Sequence, residues 1–275
     1  MSWKATSLGF AFWVILASFG NADTLTLSPS LENTLIQSSA GTLSNAQGNI
    51  SVGRTNQDGS GPALTSIRRG LIELNVAGSI PAGATITGGT LTMTDATTGN
   101  NGSQTLNLYD MLQAWGQGTS YSSGGAGAAA TNGDATWLYT FYNAANPSTG
   151  PTWTNPGGDF SMTLSGSTAD ATNGQLVVWS SASNPQMTTD IQNWLDDPAA
   201  NFGWLLQGNE STGQTVKTLG AGPHYAGNEP TLAISYAVHE PSTAGLAIAG
   251  LLALVAVKVR RFGNRRICGT SPRLP

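Results

Sequence analysis

The 275-residue sequence predicts an all-β fold for its central part: an antiparallel β-sandwich of jelly-roll type with one short helix. Three observations point there. Short segments rich in Thr, Val, Leu and Ile alternate with period two, as in a strand with one buried and one polar face. Gly, Asn, Ser and Pro, the residues that supply turn conformations, separate these segments. Between residues 23 and 237 there is neither an internal repeat nor a long amphipathic helix, so the helical crossovers that join parallel strands are missing.

In chain order, strands are predicted at residues 24–27, 69–75, 90–94, 105–109, 160–164, 176–179, 203–207, 216–219 and 231–236, for a total of about nine or ten. The alternation is plainest in Thr24-Leu25-Thr26-Leu27 and in Thr105-Leu106-Asn107-Leu108-Tyr109. A single helix is expected after residue 187. Thr188 or Thr189 caps it, Asp190 sits in its first turn and Asp197-Pro198 closes it. Ile191, Trp194 and Leu195 share one face of that helix and are expected to cover an end of the sandwich. Residues 116–136, rich in Gly, Ala and Ser, are expected to form a long surface loop.

The charge distribution separates this body from its ends. Residues 23–237 hold four bases (Arg54, Arg68, Arg69 and Lys217) against fourteen acids, a formal charge of -10. Such a body repels phosphate backbones, which argues against a nucleic-acid partner. The single cysteine excludes an internal disulfide framework, and two histidines with one cysteine are too few for a structural zinc site.

Both ends look like addresses. Lys4, the apolar stretch 8–19 and the small residues Gly20-Asn21-Ala22 make residues 1–22 a secretory signal peptide, with the mature chain starting near Asp23. A second apolar run at 244–257 is followed by Lys258, Arg260, Arg261, Arg265 and Arg266. With its flanks (241–259) it nears the lower length limit for a membrane-spanning helix, and its basic side would stay cytoplasmic.

The tail resembles the PEP-CTERM sorting signal of bacteria that make exopolysaccharide. Glu240-Pro241-Ser242-Thr243, the apolar run from Ala244 and the pair Arg260-Arg261 carry that resemblance. It implies a partner, an exosortase-type membrane protease acting near Glu240 and Pro241. It also implies passage through the inner membrane on 241–259, then release to the cell surface or beyond.

The body is similar to the DNRLRE domain family, exported β-sandwich modules related to carbohydrate-binding modules. The matching pieces occur in one order: Asn49-Ile50-Ser51-Val52-Gly53-Arg54, Arg69-Gly70-Leu71-Ile72-Glu73-Leu74 and Ile80-Pro81-Ala82-Gly83-Ala84, then Trp115-Gly116-Gln117-Gly118-Thr119, Asn155-Pro156-Gly157-Gly158-Asp159 and Asp190-Ile191-Gln192-Asn193-Trp194. The resemblance implies association with extracellular polysaccharide.

Little in the sequence points to catalysis. His224 is the body's only histidine, Cys268 lies beyond the apolar run, and there is no Gly-x-Ser-x-Gly elbow. Asp110, Asp134 and Asp159, near Trp-bearing loops, are the candidates for a glycoside-hydrolysing carboxyl pair. Ca²⁺ is the one cofactor considered. Asp23, Asn45 and Asn49, or Asn56 with Asp58, could contribute oxygen ligands. Sugar rings stack on aromatic faces. Trp194 and Trp204 fall in regular elements and are expected in the core, whereas Trp115, Trp137 and Trp153 stand at loop edges. Either these three line a glycan groove with Tyr139, Tyr142 and Asp159, or they anchor long loops onto the sandwich. Together these features predict a non-catalytic surface or matrix protein that contacts polysaccharide. A purely structural component is the alternative, and a polysaccharide-degrading enzyme the third reading.

Overall fold

A computed structural model describes residues 22–56, 67–97, 102–170, 174–225, 227 and 229–238. The proposed signal peptide (but for Ala22), the sorting residues Glu240, Pro241, Arg260 and Arg261, and Asp58 lie outside the described residues. Residues 22–238 form one compact unit.

The described chain is mostly antiparallel β-sheet with one short helix. A four-stranded sheet is built from β1 (Ala22–Leu27), β6 (Thr85–Thr94), β10 (Leu176–Ser180) and β13 (Thr231–Ala237), in the order β1-β13-β6-β10. The larger sheet uses β2 (Leu31–Ile36), β3 (Leu43–Ser44), β4 (Ile50–Arg54), β5 (Ile67–Glu73), β7 (Thr105–Met111), β8 (Ala128–Ala129), β9 (Phe160–Ala169), β11 (Trp204–Gln207) and β12 (Lys217–Leu219). Its order is β8-β3-β2-β5-β11-β7-β9; β4 also pairs with β5, and β12 pairs with β4.

All nine predicted strand segments are found. Four further strands, β2, β3, β4 and β8, were not expected: β3 and β8 are only two residues long, and for β2 and β4 the reason lies in burial. The prediction required one polar face, but the central strands of the larger sheet are covered on both. On one side Ile72, Leu74, Trp204, Leu206, Leu106 and Leu108 meet Leu91, Met93, Val177, Trp179, Leu232 and Ile234 of the smaller sheet, forming the main core. On the other side Leu35, Leu71, Leu205 and Met111 pack under a second core that includes Trp115, Ala135, Trp137 and Trp153. In β5, Leu71 and Ile72 are therefore both buried, on opposite faces. The Leu-Glu-Asn-Thr-Leu-Ile sequence of β2 shows no alternation for the same reason.

The helix α1 spans Gln186–Asp196 and starts earlier than expected, after Pro185, without a side-chain cap. Thr188 and Thr189 are inside it. Its buried residues Met187, Asp190, Ile191, Trp194 and Leu195 recur at helical spacing and close onto the main core. Gly89 of β6 makes room for this contact: a Cβ there would stand 2.5 Å from the Ile191 Cδ1. Burying each large side chain of this kind stabilises the fold by roughly 1.5–3 kcal/mol.

The segment 116–136 also departs from expectation. It holds the short strand β8, and its end is interior: Asp134, Ala135 and Thr136 are all fully buried. Together with residues 137–159 it forms a cap over the outer face of the larger sheet.

Candidate functional site

The cap is where the sequence placed a glycan groove, and its geometry follows from hydrogen bonding. A long segment without regular ladders must satisfy its backbone groups in other ways. Here Gly116 N–H donates to Thr140 O, Ala135 N–H to Gly116 O, Tyr142 N–H to Asp134 O and Gly157 N–H to Trp137 O, all at 2.7–3.0 Å. Asp134 accepts from Gly118 N–H (2.8 Å), Thr131 N–H (2.6 Å) and the Thr131 hydroxyl (3.0 Å). Asn33 of β2 pins the cap to the sheet, its amide donating to Gly116 O and Ala135 O while its Oδ1 accepts from the Ser44 hydroxyl at 2.7 Å. Nothing in the sequence pattern marked Asn33; a buried polar residue inside a strand gives no periodic signal.

The three loop tryptophans hold this cap down. Trp115 Nε1 donates to Phe202 O and Trp153 Nε1 to Thr136 O, each at 2.8 Å. The Arg69 guanidinium lies 5.0 Å from the Trp137 ring centre and 5.4 Å from that of Phe160. Trp115, Trp137 and Trp153 are all buried. Of the other candidates, Tyr142 is buried, Tyr139 is half-buried, and their rings meet edge to face at 5.7 Å. Asp159 accepts from Thr154 N–H (2.7 Å), Asn155 N–H (2.9 Å) and the Asn155 side-chain amide (2.9 Å), so it organises the turn before β9. Burial slightly opposes ionisation of Asp159, but these hydrogen bonds prevail and hold its carboxyl below the usual range. The structure thus gathers Trp137, Trp153, Tyr139 and Tyr142 within one cap. Within the cap, Tyr139 is half-buried and pairs in register with the exposed Thr152, and Phe141, Asn146, Thr154 and Asn155 are exposed.

The other carboxylate candidates stand in separate settings. Asp110 of β7 accepts from Trp194 Nε1 at 3.0 Å, beside the helix. Burial first, then the charge of Asp190, raises its carboxyl to about 6, against the Trp194 hydrogen bond. Asp190 in turn accepts from Trp204 Nε1 at 2.9 Å, and the rings of Trp194 and Trp204 are 4.6 Å apart. Asp134 belongs to the cap, as described.

The proposed Ca²⁺ ligands are engaged otherwise. Asn45 Oδ1 accepts from Ser122 N–H at 2.8 Å and Asn49 Oδ1 from Ala221 N–H at 3.2 Å, while Asp23 lies on β1 of the other sheet. Among the described residues no three His, Cys, Asp or Glu side chains gather closely enough to hold a metal ion. Nor is any helix among them long and apolar enough to cross a membrane.

A polar cluster lies where the segment 116–136 meets residues 222–224. His224 is exposed and stacks on Tyr121 at 3.9 Å. Nearby, Glu32 accepts from Gly222 N–H at 2.8 Å through Oε2, while its Oε1 is buried without a hydrogen-bond partner. Burial raises the Glu32 carboxyl to about 7; the Gly222 N–H opposes this and the Glu229 charge adds to it. The native state therefore keeps a proton that the unfolded chain releases near 4.5, so this stability is full below about 4.5 and lost as pH rises to about 7. Asp110 acts in the same direction at lower pH. We expect Glu32→Gln to flatten the loss and to stabilise the protein above pH 7 by roughly 1–2 kcal/mol. Urea midpoints of both proteins across that pH range test this; parallel pH profiles would argue against it.

All four bases of the body are used within the fold. Arg54 Nη1 donates to Glu210 O, Arg68 Nε to Gly125 O, Arg69 pairs with Glu210, and Lys217 pairs with Asp170. Compared with known proteins, the chain matches no protein-family model and none of the curated proteins.

Proposed function

We propose that this chain is an exported, non-catalytic module of the jelly-roll sandwich type, similar to DNRLRE domains, that associates with extracellular polysaccharide at the cell surface or in the matrix. The signal-like residues 1–22 and the PEP-CTERM-like residues 238–275 support export, transient insertion of 241–259 in the inner membrane, and processing by an exosortase-type protease. The observation that carries the binding reading is the solvent side of the cap. There Phe141 is exposed and Tyr139 half-buried, aromatic rings on which a sugar could stack, and the exposed Asn and Thr side chains of the same cap offer the planar and hydroxyl groups that fix sugar hydroxyls. The buried indoles and Asp159 act beneath it as its support. A neutral or basic glycan suits the -10 body best.

Affinity electrophoresis of the full chain in gels containing a soluble β-glucan, xylan or chitosan tests this. Retardation in at least one gel is expected, weakened roughly ten-fold by Phe141→Ala or Tyr139→Ala. One observation favours a second reading, a purely structural matrix component: all three loop indoles are interior. Migration unaffected by every polysaccharide would favour that reading.

A further inference from the structure

Away from the cap, three ionisable side chains meet inside the protein. Lys217 of β12 is 3 % exposed, Asp95, just after β6, 1 %, and Asp170, just after β9, 2 %. Lys217 Nζ lies 2.5 Å from Asp170 Oδ2 and 3.8 Å from Asp95 Oδ2. The first contact is shorter than the 2.7–2.9 Å usual for an ammonium–carboxylate hydrogen bond. It also lacks hydrogen-bonding geometry, since neither Asp170 oxygen has a hydrogen-bond partner. Asp95 Oδ1 accepts from Thr97 N–H at 2.7 Å, but its Oδ2 has no such partner.

As an ion cluster this arrangement is poor. A buried ion pair holds its own against desolvation only when hydrogen bonds satisfy the remaining lone pairs. Here Asp170 Oδ1 and Asp95 Oδ2 accept no hydrogen bond, and Asp170 Oδ2 has only the close ammonium contact. We infer that Lys217 and Asp170 are joined by an intramolecular isopeptide bond, formed with the help of Asp95. A neutral amide removes two charges from the interior and turns the short contact into a covalent one.

The groups needed for the reaction are all present. Burial, reinforced by Asp95 and opposed by Lys217, raises the Asp170 carboxyl, so the proton can pass from the ammonium to Asp170 and leave a neutral amine facing a neutral acid. The Nζ lone pair attacks Asp170 Cγ. Asp95 Oδ2 takes a proton from Nζ and returns it to the departing hydroxyl, which leaves as water. An N–C bond forms and a C–O bond breaks. Asp95 ends ionised as it began, and the products are one amide and one water, without oxidant or cofactor. The packed strands hold the reacting groups in contact, which replaces external activation by proximity. The bond closes a covalent ring over residues 170–217 and ties the end of β9 to β12, beside the end of β6 in the other sheet.

Peptide mapping of the full chain tests this. The purified protein is denatured and digested with chymotrypsin, and the peptides are analysed by mass spectrometry. We expect one linked pair holding Lys217 and Asp170, lighter than the two peptides together by one water. Lys217→Arg is expected to abolish the pair and Asp95→Asn to reduce it at least ten-fold, with residues 217 and 170 recovered in separate peptides. Recovery of the two wild-type peptides only separately and unmodified would overturn the bond. An undiminished pair in Asp95→Asn would overturn the role of Asp95. The wild-type map decides the bond whether or not the variants fold.

Discussion

Trp204→Ala is expected to lower the unfolding free energy by about 3–5 kcal/mol, enough to leave a marginal domain largely unfolded at moderate temperature. The indole is fully buried in the main core, where its ring packs 4.6 Å from that of Trp194. Removing it opens a large cavity and strips Asp190 Oδ2 of the N–H it accepts at 2.9 Å. Asp190 lies on the buried face of α1, so its carboxylate would lose a partner where water cannot replace it. The penalty therefore combines lost packing with a stranded charge. Trp204→Phe separates the two contributions: it keeps most of the ring volume and loses only the donor, for about 1–3 kcal/mol. Urea unfolding curves of the three proteins measure both numbers. A loss below about 1 kcal/mol for the alanine variant would mean that the helix and sheet do not depend on this contact.

The second large effect is expected at Arg69. Its guanidinium forms a two-pronged pair with Glu210, at 2.7 and 2.9 Å, and donates a third hydrogen bond to Gly157 O at 2.8 Å. Its Cζ also lies over the rings of Trp137 and Phe160. One side chain thus joins the larger sheet, the loop after β11 and the cap. Gly157 is required for this approach. Its φ is +92° and a Cβ would stand 2.7 Å from Arg69 Nη1 and from the Trp137 ring. Arg69→Ala should cost about 2–3 kcal/mol, discounted for the partial exposure of the pair. Arg69→Lys should recover less than half of that, because a single ammonium cannot serve three acceptors in the same plane. Limited chymotryptic digestion gives the clearer signal: new cleavage within 137–159 at protease levels that leave the native protein whole. Unchanged digestion would mean that the tryptophans and Asn33 fasten the cap without Arg69.

The strands legible in the sequence were those with one wet face or a strong apolar register. Thr24-Leu25-Thr26-Leu27, on an outer strand of the smaller sheet, is the clearest case. β2 was hidden because Asn33 and Thr34 are both buried, each satisfied by a distant partner, so polarity did not report exposure. The helix ends at Asp197 as expected, but it begins three or four residues before the expected threonine cap, because Pro185, not a threonine, precedes it. At the candidate site, the aromatic residues were found and their surroundings were not. Sequence spacing puts Trp115, Trp137 and Trp153 beside loop residues, but only long-range contacts show that these loops fold back over the sheet. Glu32, Asn33 and the Lys217 cluster escaped for the same reason: each acquires its character from residues far away in the chain.

The employment of every basic side chain inside the fold has a consequence for survival outside a cell. Proteases that cut after lysine or arginine must seat that side chain in a deep acidic pocket. Arg68 and Lys217 are buried and Arg54 and Arg69 half-buried, so the folded body offers such enzymes no protruding bait. Trypsin-like digestion of residues 22–238 must wait for the structure to open, which makes its persistence a matter of how rarely it unfolds.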